Sequence, residues 1–245
     1  MAQHVEYIMK AMKPGDSFER LELDLRFQGI DDIPQTCADI PERVSGPYQI
    51  QPSVGFQKPF EVFCDQDYEE GGWIVIQNRF NGSVDFHRDW AAYEEGFGNP
   101  RGEYWLGLKN IHELTHSRRH ELLVMLEDFE GQSKVARYDD FRVADKAEKY
   151  TLQSLGKYSG TAGDSLSFAI DLKFSTKDAD NDSWDGNCAE RFVGAWWYSA
   201  CHASNLNGKY FKQGVKTKAS GMSWDSFYSS DYSLKRARMM IRPKV

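Results

Sequence analysis

Between Phe174 and Asp231 the chain carries no sustained helical or alternating apolar pattern. The same stretch is rich in Gly, Ser, Asn, Asp and aromatic residues and holds two of the four cysteines. So long an irregular stretch is uncommon in a compact domain unless it is functional or tied down by a metal or a disulfide. Around it the pattern is short strands with few helices and no internal repeat. Strand-like runs occur at Tyr48–Gln51, Phe60–Phe63, Trp73–Ile76, Tyr104–Leu108, Leu122–Leu126, Val135–Tyr138 and Arg238–Arg242. Trp90 and Tyr93 followed by Gly96 predict a short helix with a glycine stop. Asn110–Leu114 predicts another, opened by an asparagine cap.

The 245 residues suit one large domain or two small ones, and 40% hydrophobic with 14% aromatic residues is ample for a core. The formal net charge of −7 gives no electrostatic reason to bind nucleic acid or an anionic membrane. The longest mostly apolar run, Phe192–Tyr198, falls far short of the ~20 residues of a membrane span. At the start, Val5, Ile8, Met9 and Met12 have helical spacing, and Leu21, Leu23, Leu25 and Phe27 alternate like a half-buried strand. One stripe of that length does not establish an oligomerising coiled coil. Met1–Lys13 lacks the apolar core and cleavage site of a signal peptide. Gly29–Pro34 reads as a linker, which divides the chain into an extension, residues 1–36, and a domain, residues 37–245.

Cys37, Cys64, Cys188 and Cys201 fit two disulfides in an oxidising compartment, or four buried thiols in a reducing one. Four cysteines allow three pairings. The local one, Cys37–Cys64 with Cys188–Cys201, closes short loops and stabilises each by roughly 3 kcal/mol in the chain-entropy model. No close-spaced cysteine pair favours zinc. Asn81-Gly82-Ser83 and Asn181-Asp182-Ser183 are N-glycosylation sequons, weak signs of secretion.

The sharpest chemical signal is Asp178-Ala179-Asp180-Asn181-Asp182-Ser183-Trp184-Asp185-Gly186-Asn187-Cys188. Alternating carboxylates in a loop converge on a hard cation, and carbonyls and water complete the six to eight oxygens that Ca2+ takes. An EF-hand register fails, because it places Ser183 and Ala189 where Gly and Glu are needed. In another loop type the donors are the side chains of Asp180 and Asp182 and the carbonyls of Trp184 and Gly186. The alternative is a solvated acidic turn with Asx-type hydrogen bonds.

These residues also carry a family signature. Asp180-Asn181-Asp182, Gly186-Asn187-Cys188-Ala189, Gly194-Ala195-Trp196-Trp197-Tyr198, Cys201-His202 and Asn205-Leu206-Asn207-Gly208 follow one another closely. Upstream stand Cys37-Ala38-Asp39-Ile40, Phe63-Cys64-Asp65, Gly71-Gly72-Trp73 and Gly102-Glu103-Tyr104-Trp105-Leu106-Gly107-Leu108, and Met239-Met240-Ile241-Arg242-Pro243 closes the chain. From Cys37 onward the chain resembles the fibrinogen-related C-terminal domains of ficolins, tachylectins, angiopoietins, tenascins and fibrinogen chains. The resemblance implies an α+β fold: a central antiparallel sheet with short helices, a loop-rich calcium and ligand part, and a terminal strand returning to the sheet. It implies disulfides Cys37–Cys64 and Cys188–Cys201, with calcium on the four donors above and Asp178 and Asp185 as bystanders.

In lectin-type members an N-acetyl group enters a pocket beside the calcium loop. The resemblance implies a cis peptide at Ala200–Cys201, the N–H groups of Cys201 and His202 as donors, and His202 at the edge. Phe192 is an apolar wall, Ala219 leaves room for a methyl group, and Trp224 and Tyr228 are further wall candidates. Lys218 departs from the family's aromatic. Its ammonium favours an anionic partner, such as an acidic sugar or a carboxylate, and disfavours a free peptide amine.

The implied function is non-enzymatic and extracellular: calcium-dependent binding of acetylated or acidic glycans in innate immunity, with avidity from a homo-oligomer. The alternative is a receptor-binding or matrix-adhesion module with a vestigial sugar pocket. An enzyme reading rests on His112-Glu113-Leu114-Thr115-His116, whose letters spell a zinc-hydrolase motif, but nothing identifies a third ligand. A Gly-x-Ser-x-Gly elbow and a phosphate-cradling loop are absent.

Overall fold

The computed structural model describes residues 33–52, 58–214 and 217–244. The helix expected at Val5–Met12 and the strand at Leu21–Phe27 lie outside them. The described residues from Pro34 onward belong to one compact unit.

Its framework is an antiparallel sheet. β1 (Gly46–Ile50), β2 (Phe60–Asp65) and β3 (Trp73–Arg79) form one wing; β6 (His120–Glu127), β7 (Ser133–Tyr138) and β10 (Tyr158–Gly160) form the other. Strand β11 (Arg236–Pro243) lies between β3 and β6, giving the order β1-β2-β3-β11-β6-β7-β10. Two short strands, β4 (Phe97–Gly98) and β5 (Tyr104–Trp105), attach through β3, while β8 (Arg142–Val143) and β9 (Leu152–Ser154) pair separately. The central strands are buried on both faces, so their apolar residues run consecutively: Trp73–Ile76, Leu122–Val124 and Met239–Ile241. Full burial of each such side chain contributes about 1.5–3 kcal/mol. A register shift at Met239/Met240 in the β11–β3 ladder places both methionines in the core.

Helix α1 (Trp90–Glu95) has Asp89 as its cap, whose Oδ1 accepts from the Ala92 N–H at 3.0 Å, and it ends at Gly96. Helix α2 (Leu108–Ser117) corrects two expectations. The strand expected over Tyr104–Leu108 stops at Trp105, and the helix is opened by Gly107 rather than Asn110. Gly107 has φ +99°, and a β-carbon there would meet the Glu95 backbone at 2.7 Å. Only glycine allows that corner to close against the end of α1. Asn110 lies inside the helix and donates from Nδ2 to the Leu106 carbonyl at 3.0 Å.

The disulfides are Cys37–Cys64, which ties the first turn to β2, and Cys188–Cys201. Among the described residues from Phe174 to Asp231, the one helix is α3 (Cys188–Arg191); the rest is turns and isolated bridges such as Ser175–Trp196 and Ser204–Trp224. No helix of the described residues is long and apolar enough to cross a membrane.

Candidate functional site

The loop-rich region is positioned by buried polar side chains. Asn205, fully buried, accepts from the Tyr198 hydroxyl at 2.6 Å and donates to the carbonyls of Phe192 (3.2 Å) and Gly221 (3.3 Å). Asn207 donates to the Ala195 carbonyl at 3.1 Å and accepts from Gln77 of β3. Arg79, also of β3, donates to the carbonyls of Leu206 and Gly208 and stacks on Phe86. Burial brings its guanidinium down to about 10, against the opposing pull of Glu103. These bonds satisfy carbonyls that no ladder reaches.

The acidic loop is folded on its own carboxylates. Asp182 accepts from the N–H groups of Trp184 (2.9 Å) and Cys188 (2.8 Å), and Asp180 accepts from the Asp182 N–H at 3.2 Å. Burial, reinforced by the Asp180 charge, pushes the Asp182 carboxyl above its usual range, although two backbone N–H groups oppose this. Neither carboxylate takes part in an ion pair among the described residues. The carbonyls of Trp184 and Gly186 accept no hydrogen bond there either. The side-chain oxygens of Asp180 and Asp182 and these two carbonyls are donor types that Ca2+ takes. The described residues contain no group of three or more His, Cys, Asp or Glu side chains placed for a metal, so carbonyls and water would have to complete the shell.

Asp178 has a separate task. It accepts from the Trp90 N–H at 2.8 Å, at the start of α1, and from the Thr176 hydroxyl at 2.7 Å. Burial raises its carboxyl, but these hydrogen bonds outweigh it and the group lies below its usual range. Asp178 thus fastens the acidic loop to α1. Asn187 does the same for α3: it caps the Glu190 N–H and donates to the Thr176 and Lys177 carbonyls.

The loop is stitched to the segment after Tyr198 by the Cys188–Cys201 disulfide and by the Ser183 N–H donating to the Ser199 carbonyl at 3.3 Å. The Ala200–Cys201 peptide is cis. The N–H groups of Cys201 and His202 donate no hydrogen bond among the described residues. The His202 ring lies edge-on to Phe192, centroids 4.8 Å apart, and tilted against Tyr198 at 5.9 Å. Both its ring nitrogens are buried without a partner of acceptable geometry. Burial brings the imidazole down to about 4, with the Ala219 backbone pulling weakly the other way. His202 is therefore neutral at physiological pH.

Ala200 and Lys218 are exposed, and Ala219 is partly buried. Lys218 and Ala219 both have left-handed backbones, φ +52° and +62°. Of the further wall candidates, Trp224 donates to the Gly163 carbonyl at 2.9 Å and Tyr228 donates to Asp128 at 2.9 Å. Sequence reasoning missed Tyr198 as the second ring beside His202, and the asparagine frame behind it. Within the family signature Asn205 and Asn207 are visible, but their type alone reads as loop surface.

Among the described residues, no third His, Cys, Asp or Glu side chain joins the His112–His116 pair. The rings are 4.2 Å apart, and His112 Nδ1 lies 2.9 Å from the Val143 carbonyl. Away from the loops, a cavity of about 460 Å³ opens at the sheet, lined in part by Asn78, Arg238, Met125 and Val135, successive cross-strand partners. It shares no residue with the acidic loop or the His202 cluster.

Residues 33–244 match the family described as fibrinogen beta and gamma chains, C-terminal globular domain. Human Fibrinogen C domain-containing protein 1 is 44% identical over 84% of this chain and 46% of its own length. Bovine (Bos taurus) Angiopoietin-4 is 40% identical over 99% of this chain and 48% of its own. This chain thus spans about half the length of these relatives. Among solved structures, the fibrinogen-like globe domain of human ANGPTL6 superposes with a TM-score of 0.82 at 45% identity, covering 86% of this chain and 96% of that one. A lamprey fibrin D-dimer, complexed with the peptide ligand Gly-His-Arg-Pro-amide, superposes at 0.79 with 32% identity, covering 99% and 81%. With a family match over residues 33–244, the chain belongs to the family of fibrinogen C-terminal globular domains.

Proposed function

We propose that this chain is a non-enzymatic extracellular recognition module that binds a protein or peptide partner at its loop-rich end, with Ca2+ holding the acidic loop. The observation that carries the reading is the junction of that loop with the 199–202 segment. There the open N–H groups of Cys201 and His202 can take a partner's carbonyl. The indole of Trp184, 43% exposed in the same loop, offers the kind of large anchor that dominates protein interfaces. The angiopoietin and angiopoietin-like relatives and the peptide-bound lamprey fibrin support a protein or peptide ligand, and the two disulfides support an oxidising compartment.

A second reading, binding of acetylated or acidic glycans, draws on His202. Its unpartnered nitrogens, the Phe192 wall, the small Ala219 and the exposed Lys218 suit a neutral acetyl group next to an anion. Innate-immune recognition and self-association belong to this reading.

Binding of the full chain to cell surfaces, with Ca2+ or with EDTA, decides between the two. Calcium-dependent binding that survives enzymatic removal of surface glycans and falls with Trp184→Ala supports the protein reading. Binding lost on glycan removal, or competed by N-acetylated sugars, replaces it with the glycan reading.

A further inference from the structure

The two sequons occupy contrasting environments. Asn81 lies on the exposed turn that follows β3. Its Oδ1 accepts from the Ser83 N–H at 2.9 Å, and its Nδ2 takes part in no hydrogen bond among the described residues. The turn beneath it is fixed. Glu103, almost fully buried, accepts from the N–H groups of Phe80 (2.7 Å), Asn81 (2.9 Å), Gly82 (2.9 Å) and Val84 (3.0 Å). Gly82 has φ +72°, and a β-carbon there would meet the Tyr210 ring at 2.6 Å. The amide nitrogen of Asn81 is thus presented on a rigid base.

Asn181 is the reverse. Its Nδ2 points inward, donating to the carbonyls of Phe174 (2.9 Å) and Ala179 (3.4 Å), while its own N–H donates to the Ser175 hydroxyl at 3.0 Å. Phe174 is fully buried. A sugar on that nitrogen would have to occupy the space between it and those carbonyls.

We propose that Asn81 carries an N-linked glycan and that Asn181 stays unmodified in the folded protein. In the transfer, Asn81 Nδ2 forms a bond to the anomeric carbon of the first sugar of a lipid-diphosphate-linked oligosaccharide. The bond from that carbon to the phosphate oxygen breaks, the lipid diphosphate leaves with the electron pair, and the amide gives up one proton. No electron donor or acceptor is needed. A glycan here is bulky, solubilising and surface-bound. The proposal rests on the extracellular reading.

The full chain, behind a supplied cleavable leader, is translated into microsomes and also secreted from cultured animal cells. Glycan release in heavy-oxygen water then marks each formerly glycosylated asparagine by mass. The expected result is a mark on the Asn81 peptide and none on the Asn181 peptide. A single-glycan mobility shift should be lost in Asn81→Gln and kept in Asn181→Gln. An unmodified Asn81, or a mark at Asn181 in the folded, disulfide-bonded product, overturns the proposal. Because the leader is supplied, the outcome does not depend on the natural destination; failure of the extracellular reading would show separately, as free thiols in protein isolated from its source.

Discussion

The central sheet and the Phe174–Asp231 region both contribute to the buried interior, but they are specified in different ways. In the sheet, β3, β6 and β11 contribute consecutive apolar side chains, and the backbone satisfies itself through the ladders. In the loop region the backbone has no ladder to join, so single polar side chains such as Asn205 and Asn207 replace it. The first region tolerates changes that keep volume and apolarity. The second tolerates few, because each polar group satisfies several others.

The largest expected effect tests that contrast directly. Asn205→Leu keeps the side chain's approximate size but leaves the Tyr198 hydroxyl and the Phe192 and Gly221 carbonyls without their partner. With each of the three orphaned groups costing about 1–3 kcal/mol, the total should be at least about 3 kcal/mol in urea unfolding. A cost under about 1 kcal/mol would remove the distinction between the regions.

The next effect compares the two buried histidines. Burial brings His120, on β6, down to about 4, although the Arg118 carbonyl opposes this, and it brings His202 to a similar value. The unfolded chain protonates near 6.5, so each neutral histidine contributes stability that is complete above that pH. It is lost as pH falls from 6.5 toward 4, at most about 3 kcal/mol per residue. Thermal unfolding across that window should show the slope, and His120→Gln should flatten it. A His202→Gln variant with unchanged slope would mean that its loop admits water before the sheet yields.

Calcium comes third. At a hundredfold excess over its dissociation constant, Ca2+ should stabilise the domain by about 2.7 kcal/mol. Asp180→Asn should abolish that gain while slightly stabilising the metal-free form, since it removes the charge pressing on Asp182. Calorimetry with Ca2+ and with EDTA reads both signs, and a variant weakened in both conditions would count against the site. Smaller again, Ile241→Val in β11 removes one methylene from a fully buried position and should cost about 1 kcal/mol. Smallest, Trp184→Ala should change stability by less than about 0.5 kcal/mol, because its indole is 43% exposed outside the core, while reducing partner capture.

The same contrast explains what the sequence made legible. Strand positions were readable because apolar runs such as Trp73–Ile76 and Leu122–Leu126 have one physical cause, burial. The short helix ending at Gly96 was readable because a glycine stop is a local signal. The start of α2 was not: Gly107 sits there for a clearance against Glu95, a residue distant in the helix-start pattern. The bond from the Trp90 N–H to Asp178 was not legible, because that partner arrives from far along the chain. Glu103, Gln77 and Arg79 look like surface residues by type and become interior ones only through the loops that cover them. The acidic loop and the Cys201–His202 segment were legible chiefly through the family signature.

Strand β11 also has a consequence for how the molecule comes into being. On the ribosome, β1, β2 and β3 and then β6, β7 and β10 emerge as two fragments with facing, unsatisfied edges, and the piece that joins them is translated after both. A premature stop between Gly160 and Arg236 would release two half-sheets with open seams, prone to pairing with strangers. The cell's quality control would therefore recognise a truncated product by its missing centre rather than by a missing tail.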